Sequence, residues 1–190
     1  MTTFMQYCQK HVAEVNAWQV GLILQLQSIG EGHHSRLIVL SPKTFGKTFF
    51  AQMFVRYLLE TTDQRILYAT YGLLMCEHYQ RKASHDRVRY TYPGGSLVGE
   101  GCFDIGIIDG WNTDVLSVFP QTAYNWYHSN FVPRLKGNAP MIYMGQEDEG
   151  FVTLLQQDRE WQANVHVNDN GQLTERWVKQ FLDDKNMGEE

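Results

Sequence analysis

Gly46-Lys47-Thr48 brings together three residue types that handle phosphate. Glycine permits a tight turn, lysine neutralises outer phosphates, and a threonine hydroxyl holds Mg2+. The stretch Ser41-Pro42-Lys43-Thr44-Phe45-Gly46-Lys47-Thr48 matches the second half of the pattern G-x-x-x-x-G-K-[ST] and has Ser41 where the first glycine stands. In that pattern backbone N–H groups turn inward around phosphate oxygens, and the dipole of the following helix adds to the attraction. Such a site also needs a carboxylate at the tip of a nearby strand, to hold the metal directly or through water. Asp109 ends the apolar stretch "IGIID" about sixty residues downstream and fits that need. The next position, where a second acid would orient the attacking water, holds Gly110. The catalytic set is incomplete there, with Asp114 and Glu100 as the acids available to substitute.

These residues have to be positioned by a strand, a loop and a helix, with a second strand beside them. "RLIVLS" before the loop is a short apolar run rich in branched residues, which fits a buried strand. From Lys47 to Leu59, Phe50, Met53, Phe54, Tyr57 and Leu58 recur at helical spacing. Residues 4–28 read as one or two helices, broken by "GEGHH". "RILYAT" is a second buried strand, followed by a helix through "LLMCEHYQRKA". "RVRYTY", Pro93-Gly94-Gly95 and "SLV" read as strand, turn, strand. "FDIGIIDG" is a third buried strand; a helix over about 117–130, the strand "APMIYMG" and a helix over about 148–157 follow.

Strands alternating with helices predict an α/β fold: a three-layer sandwich of the phosphate-loop nucleotide-binding kind, with a mostly parallel central sheet flanked by helices. One domain spans 1–190, with a helical lead-in over 1–34, a nucleotide-binding core over 35–160 and a C-terminal extension over 161–190. Ligands of such sheets bind at the carboxyl ends of the strands, where Ser41 and Asp109 both fall. The two strands ending there are expected to be adjacent and parallel.

The bulk composition narrows the field. At 190 residues and 43% hydrophobic, the chain can bury a sizeable core. A net charge of -5 argues against a protein that grips DNA by bulk electrostatics. Three cysteines without metal-type spacing point to a reducing, cytoplasmic compartment. The N-terminal residues do not read as a signal peptide and no apolar run reaches ~18 residues, so neither secretion nor a membrane span is expected.

With both motifs placed, residues 15–160 resemble the ATPase domain of the large terminase subunit, the motor that packages DNA into tailed-phage heads. "RLIVLSPKTFGKTFFAQMFVRYLLE" is similar to that family's strand, phosphate loop and helix. "RILYATYG" is similar to its next strand, "GGSLVGEGCFDIGIIDG" to its approach to the acidic strand, and "AYNWYHSNFVPRLKGNAPMIYMG" to its Trp-containing helix and fourth strand. The resemblance implies ATP and Mg2+ as cofactors, with Ser41 to Thr48 as the phosphate loop and Thr48 and Asp109 as metal ligands. Gln19, beside Trp18, resembles the glutamine with which many such motors read adenine; the other reading is a solvated helix residue. Double-stranded DNA, the portal, the small terminase subunit, a separate nuclease chain and further copies of this chain are the partners implied, in the cytoplasm of the host cell.

The departures shape the expected function. The family has two acids where this chain has Asp109-Gly110, and Thr-Arg where it has Gly145-Gln146-Glu147. An arginine common in the family's loop is matched by Lys43, which keeps the charge without the guanidinium fork. The 190 residues contain no counterpart of the family's nuclease domain, so the resemblance is expected to reach the motor half only. The reading is an ATP-binding, terminase-like protein of viral DNA packaging, with an incomplete catalytic set for ATP hydrolysis that turns over slowly, if at all. Two alternatives stand beside it, an inert relative that regulates or competes with a packaging complex and a helicase-like ATPase dependent on nucleic acid.

Other residues read more plainly. Trp126 and Tyr127 belong to a core rather than a stacking platform. His33-His34 read as solvent-exposed. Arg81, Lys82, Arg87 and Arg89 form either a DNA-facing patch or a solvated helix end. Glu147, Asp148 and Glu149 suit a helix N-terminus.

Overall fold

The computed structural model describes residues 2–41, 45–110, 120–146, 150–158, 161 and 165–167. Two helices lead in, α1 (Phe4–His11) and α2 (Ala17–Gly30). Each starts with a reciprocal capping box, Thr3 with Gln6 and Asn16 with Gln19, which satisfies helix N–H groups that have no partner within the helix. There follow β1 (Arg36–Leu40), α3 (Lys47–Thr61), β2 (Ile66–Thr70), α4 (Leu73–Lys82), β3 (Val88–Thr91) and β4 (Ile105–Asp109). The chain continues with α5 (Pro120–Trp126), β5 (Met141–Gly145), α6 (Gly150–Gln157) and β6 (Val165–Val167). After α5 the helix widens into a π-turn over Tyr127–Phe131 and tightens over Val132–Arg134, where Pro133 has no N–H to continue it.

The six strands form one sheet in the order β3-β2-β4-β5-β1-β6, with every pair parallel. β1, β2, β4 and β5 are buried along their whole length, as a parallel sheet covered on both faces requires. Val39, Tyr68, Ile107 and Ile142 face α1, α2 and α3. Ile38, Leu67, Ile108 and Tyr143 face α5 and α6. The three-layer α/β expectation holds.

Three sequence expectations need correction. First, β1 and β4 are parallel but not adjacent: β5 stands between them, pairing Leu40 with Gly145 on one side and Asp109 with Met144 on the other. Ile142, Tyr143 and Met144 are completely buried, and a strand apolar on both faces is accommodated in the middle of a sheet rather than at its edge. Second, the stretch after Pro93-Gly94-Gly95 is not a strand. Gly94 has φ +95°, and Gly95 N donates to Tyr92 O to close a turn. α4 has already carried the chain across to lay β3 parallel to β2, and Leu97 then packs on the opposite face of the sheet. Third, the sheet reaches past residue 160, because β6 pairs with β1, and Trp161 is wholly buried.

Among the described residues no helix is long and apolar enough to cross a membrane.

Candidate nucleotide site

β1 ends at Leu40, and Ser41 N still donates to Gly145 O at 3.1 Å, so the loop departs from a fixed point. Pro42, Lys43 and Thr44 lie outside the described residues. Where the loop is described again, Phe45 packs edge-on against Trp18 with ring centroids 5.6 Å apart. Gly46 then opens α3 with φ +88°, a conformation that glycine adopts at no steric cost. It also lets other groups close in: a Cβ here would meet Gln19 Nε2 at 3.4 Å and the Phe50 ring at 3.6 Å. Gln19 is therefore beside the loop, with its Oε1 accepting from Asn16 N at 2.9 Å in the α2 capping box. Gly46 has no side chain to cap α3, whose N-terminus points its partial positive charge toward the loop.

Lys47 Nζ donates to Ser41 O at 2.7 Å and Ser41 Oγ at 3.0 Å, which ties the helix start back to the end of β1. One residue on, Thr48 Oγ1 donates to Asp109 Oδ1 at 3.0 Å. Lys47 and Asp109 therefore lie close together at one end of the sheet, although β5 separates their strands. The start of α3 crosses the gap, about 10 Å for two strand spacings. Asp109 is 3% exposed, and Tyr68 donates to its Oδ2 at 2.6 Å. Burial raises the Asp109 carboxyl above the usual range, with the Tyr68 and Thr48 hydroxyls and the Lys47 charge pulling the other way. Burial, reinforced by the neighbouring carboxylate, likewise pushes the Tyr68 phenol well up, so it remains a donor.

Gly110 follows with φ +64° and donates to Met144 O at 2.9 Å. The second acid is thus missing in backbone as well as side chain, since an L-residue rarely adopts that conformation. Asp114 lies outside the described residues, as do Glu147, Asp148 and Glu149. Glu100 is elsewhere: its carboxylate pairs with Arg89 Nε at 3.1 Å. Arg89 is in register with Leu67, whose side chain lies on the sheet face away from Asp109 and α3. β-strand alternation places Arg89 and its partner there. Gln146 follows β5 directly, and Gly145 is held opposite Leu40.

The basic cluster divides. Arg81 and Lys82 are exposed at the end of α4, whereas Arg87 donates to Thr62 O and Leu59 O and so closes the carboxyl end of α3. Trp126 and Tyr127 are core, with Trp126 Nε1 donating to Gly95 O and Tyr127 Oη accepting from Trp161 Nε1, each at 3.2 Å. His33 is exposed beside Glu31.

Sequence reasoning missed Tyr68. A signal was there: a hydroxyl in the middle of "ILYAT", an otherwise apolar buried strand, has to find a partner.

The donor set suits Mg2+. A hydroxyl and a carboxylate oxygen lie 3.0 Å apart beside a lysine and a helix N-terminus. Mg2+ prefers hard oxygen ligands and is held by one or two carboxylates together with substrate phosphates. No group of three or more His, Cys, Asp or Glu side chains among the described residues could form an all-protein metal cage.

No family model matches the chain, and no curated protein matches it. Among solved structures, the crystal structure of domain III from the Thermotoga maritima replication initiation protein DnaA aligns with it at 14% sequence identity and a TM-score of 0.38. The alignment covers 95% of this chain and 65% of that one, so the chain spans less than two thirds of that structure's length.

Proposed function

We propose that this chain binds a Mg2+-nucleoside triphosphate, ATP by the placement of Gln19, at the carboxyl edge of its sheet. The observation that carries the reading is the Thr48–Asp109 contact at 3.0 Å, made one residue after a lysine anchored on Ser41. Lys47 and the start of α3 would take the phosphates, and Thr48 and Asp109 the metal. Lys43 would add charge from within the loop. When bound, Mg2+ supplies charge neutralisation at the outer phosphates. The chain's own part is to orient and hold. With Gly110 after Asp109, no side chain there positions an attacking water, so hydrolysis is slow.

Within this reading, the order of motifs supports a terminase-like role in packaging viral DNA, performed by a single domain in the host cytoplasm. Double-stranded DNA, the portal, the small terminase subunit, a nuclease chain or further copies of the chain would be its partners. The left-handed backbone of Gly110 favours a second version, in which the protein binds nucleotide as a weak or inert regulator of such a complex.

Calorimetry with Mg-ATP tests the site. Lys47→Ala should abolish binding while circular dichroism stays unchanged, and turnover by the wild-type monomer without DNA should remain below about one per second. Unchanged affinity in the variant would sink the reading.

A further inference from the structure

Asp109 is gripped from two elements at once, and the two grips are unequal. Thr48 holds Oδ1 from the first turn of α3, and that residue is exposed. Tyr68 holds Oδ2 from the middle of β2, where it is fully buried. In the register between β2 and β4, Thr70 lies opposite Asp109 and Tyr68 opposite Ile107. Tyr68 thus reaches the carboxylate along a diagonal, on the face that α3 covers. Its ring is wedged by Tyr79 and Tyr90, with centroids 5.9 and 5.4 Å away. Gln52, one turn along α3 from Thr48, lies beside the same hydroxyl.

A phenol in an apolar strand is costly unless its hydroxyl is satisfied, and a buried carboxylate more so. Here each satisfies the other at 2.6 Å, so the pair is built into the core and does not depend on a ligand. The Thr48 bond differs, since a surface hydroxyl can rotate away at little cost.

We propose that Tyr68 is a positioning residue for the metal carboxylate: it fixes Oδ2 of Asp109, leaving Oδ1 to exchange its Thr48 bond for a cation. The inference rests on the nucleotide reading above. Mg2+ demands near-ideal octahedral geometry, so a carboxylate locked in rotation binds it better than one that swings. Groups that orient a metal ligand without touching the metal are commonly worth about 10–100-fold in metal affinity.

The test is Tyr68→Phe, which removes one oxygen and keeps the ring. ATP affinity is measured by calorimetry with Mg2+ and with EDTA. The gain in affinity that Mg2+ confers should fall by about 10–100-fold, while metal-free affinity stays at the wild-type value. An undiminished gain overturns the proposal, and so does an equal loss with and without metal, which would mark a purely structural role. Failure of the nucleotide reading shows up separately, as Mg-ATP binding that survives Lys47→Ala in the presence of wild-type Tyr68, and it removes this inference too. Should Y68F not fold, proton NMR of the wild type decides. A slowly exchanging tyrosine hydroxyl signal, assigned to Tyr68 by its shift in Asp109→Asn, should persist when Mg-ATP is added. Its disappearance on adding Mg-ATP would overturn the proposal.

Discussion

Asp104 and Asp109 stand at the two ends of β4, and the fold treats them in opposite ways. Asp104, just before the strand, accepts from Arg65 N at 2.8 Å and from the Lys136 ammonium. Partial burial pushes its carboxyl up, but the Arg65 N–H and the Lys136 charge outweigh that and hold it below the usual range. Asp109 is deeply buried and bonded by neutral hydroxyls, with its carboxyl raised. One carboxylate is bonded directly to a cation, whereas the other feels Lys47 only as a nearby charge. That second one is kept in a state that a cation would relieve. A carboxylate that only staples structure gains by complete pairing; one that is to take a metal, the role proposed for Asp109, must not be fully matched beforehand.

Asp109→Asn should have the largest effect. The carboxamide has nearly the same shape but no charge, so the Mg2+-dependent part of ATP affinity should vanish in calorimetry. The ligand-free variant should melt above the wild type, because a buried charge has been removed. The pH dependence follows from the raised carboxyl. The folded state holds its proton more tightly than the unfolded chain, so ligand-free stability is fullest below the ordinary carboxyl range. It declines as pH rises through the raised value, and the variant should lack that decline. A variant that melts lower at every pH would show that the Asp109 charge stabilises the ligand-free fold.

Next in size is Gly110→Glu, which supplies the missing acid at a position with φ +64°. The left-handed backbone should cost about 1–2 kcal/mol in urea unfolding. Turnover should stay slow, since a side chain on that backbone leaves the strand in a different direction from its neighbours. Fast hydrolysis by this variant would show that the site lacks only a carboxylate.

The smallest effect is expected at the other end of β4. Asp104→Asn loses the charge partner of Lys136, which is itself 60% exposed, so the cost should be about 1 kcal/mol or less, with ATP binding untouched. Here the folded carboxyl lies below its unfolded value. Its stabilisation is present above the ordinary carboxyl range and lost as pH falls through the lowered value, and the variant should show a flatter acid limb. A drop in Mg-ATP affinity would blur the division between the two carboxylates.

The residue types and their local spacing by themselves determined the strand–loop–helix unit around Gly46, Lys47 and Thr48, the buried strands, and Asp109 at a strand tip. These are short-range properties: an apolar run, a helical period and a glycine before a helix each have one local physical solution. That β5 lies between β1 and β4 is a matter of sheet topology, because neighbours in a parallel sheet are chosen by crossovers and by which strand needs cover on both faces. The same holds for Glu100, which pairs with Arg89 on the far side of the sheet, and for Tyr68, 41 residues from the carboxylate it holds. A hydroxyl in a buried strand announces that it needs a partner, but strand register alone says which partner it meets.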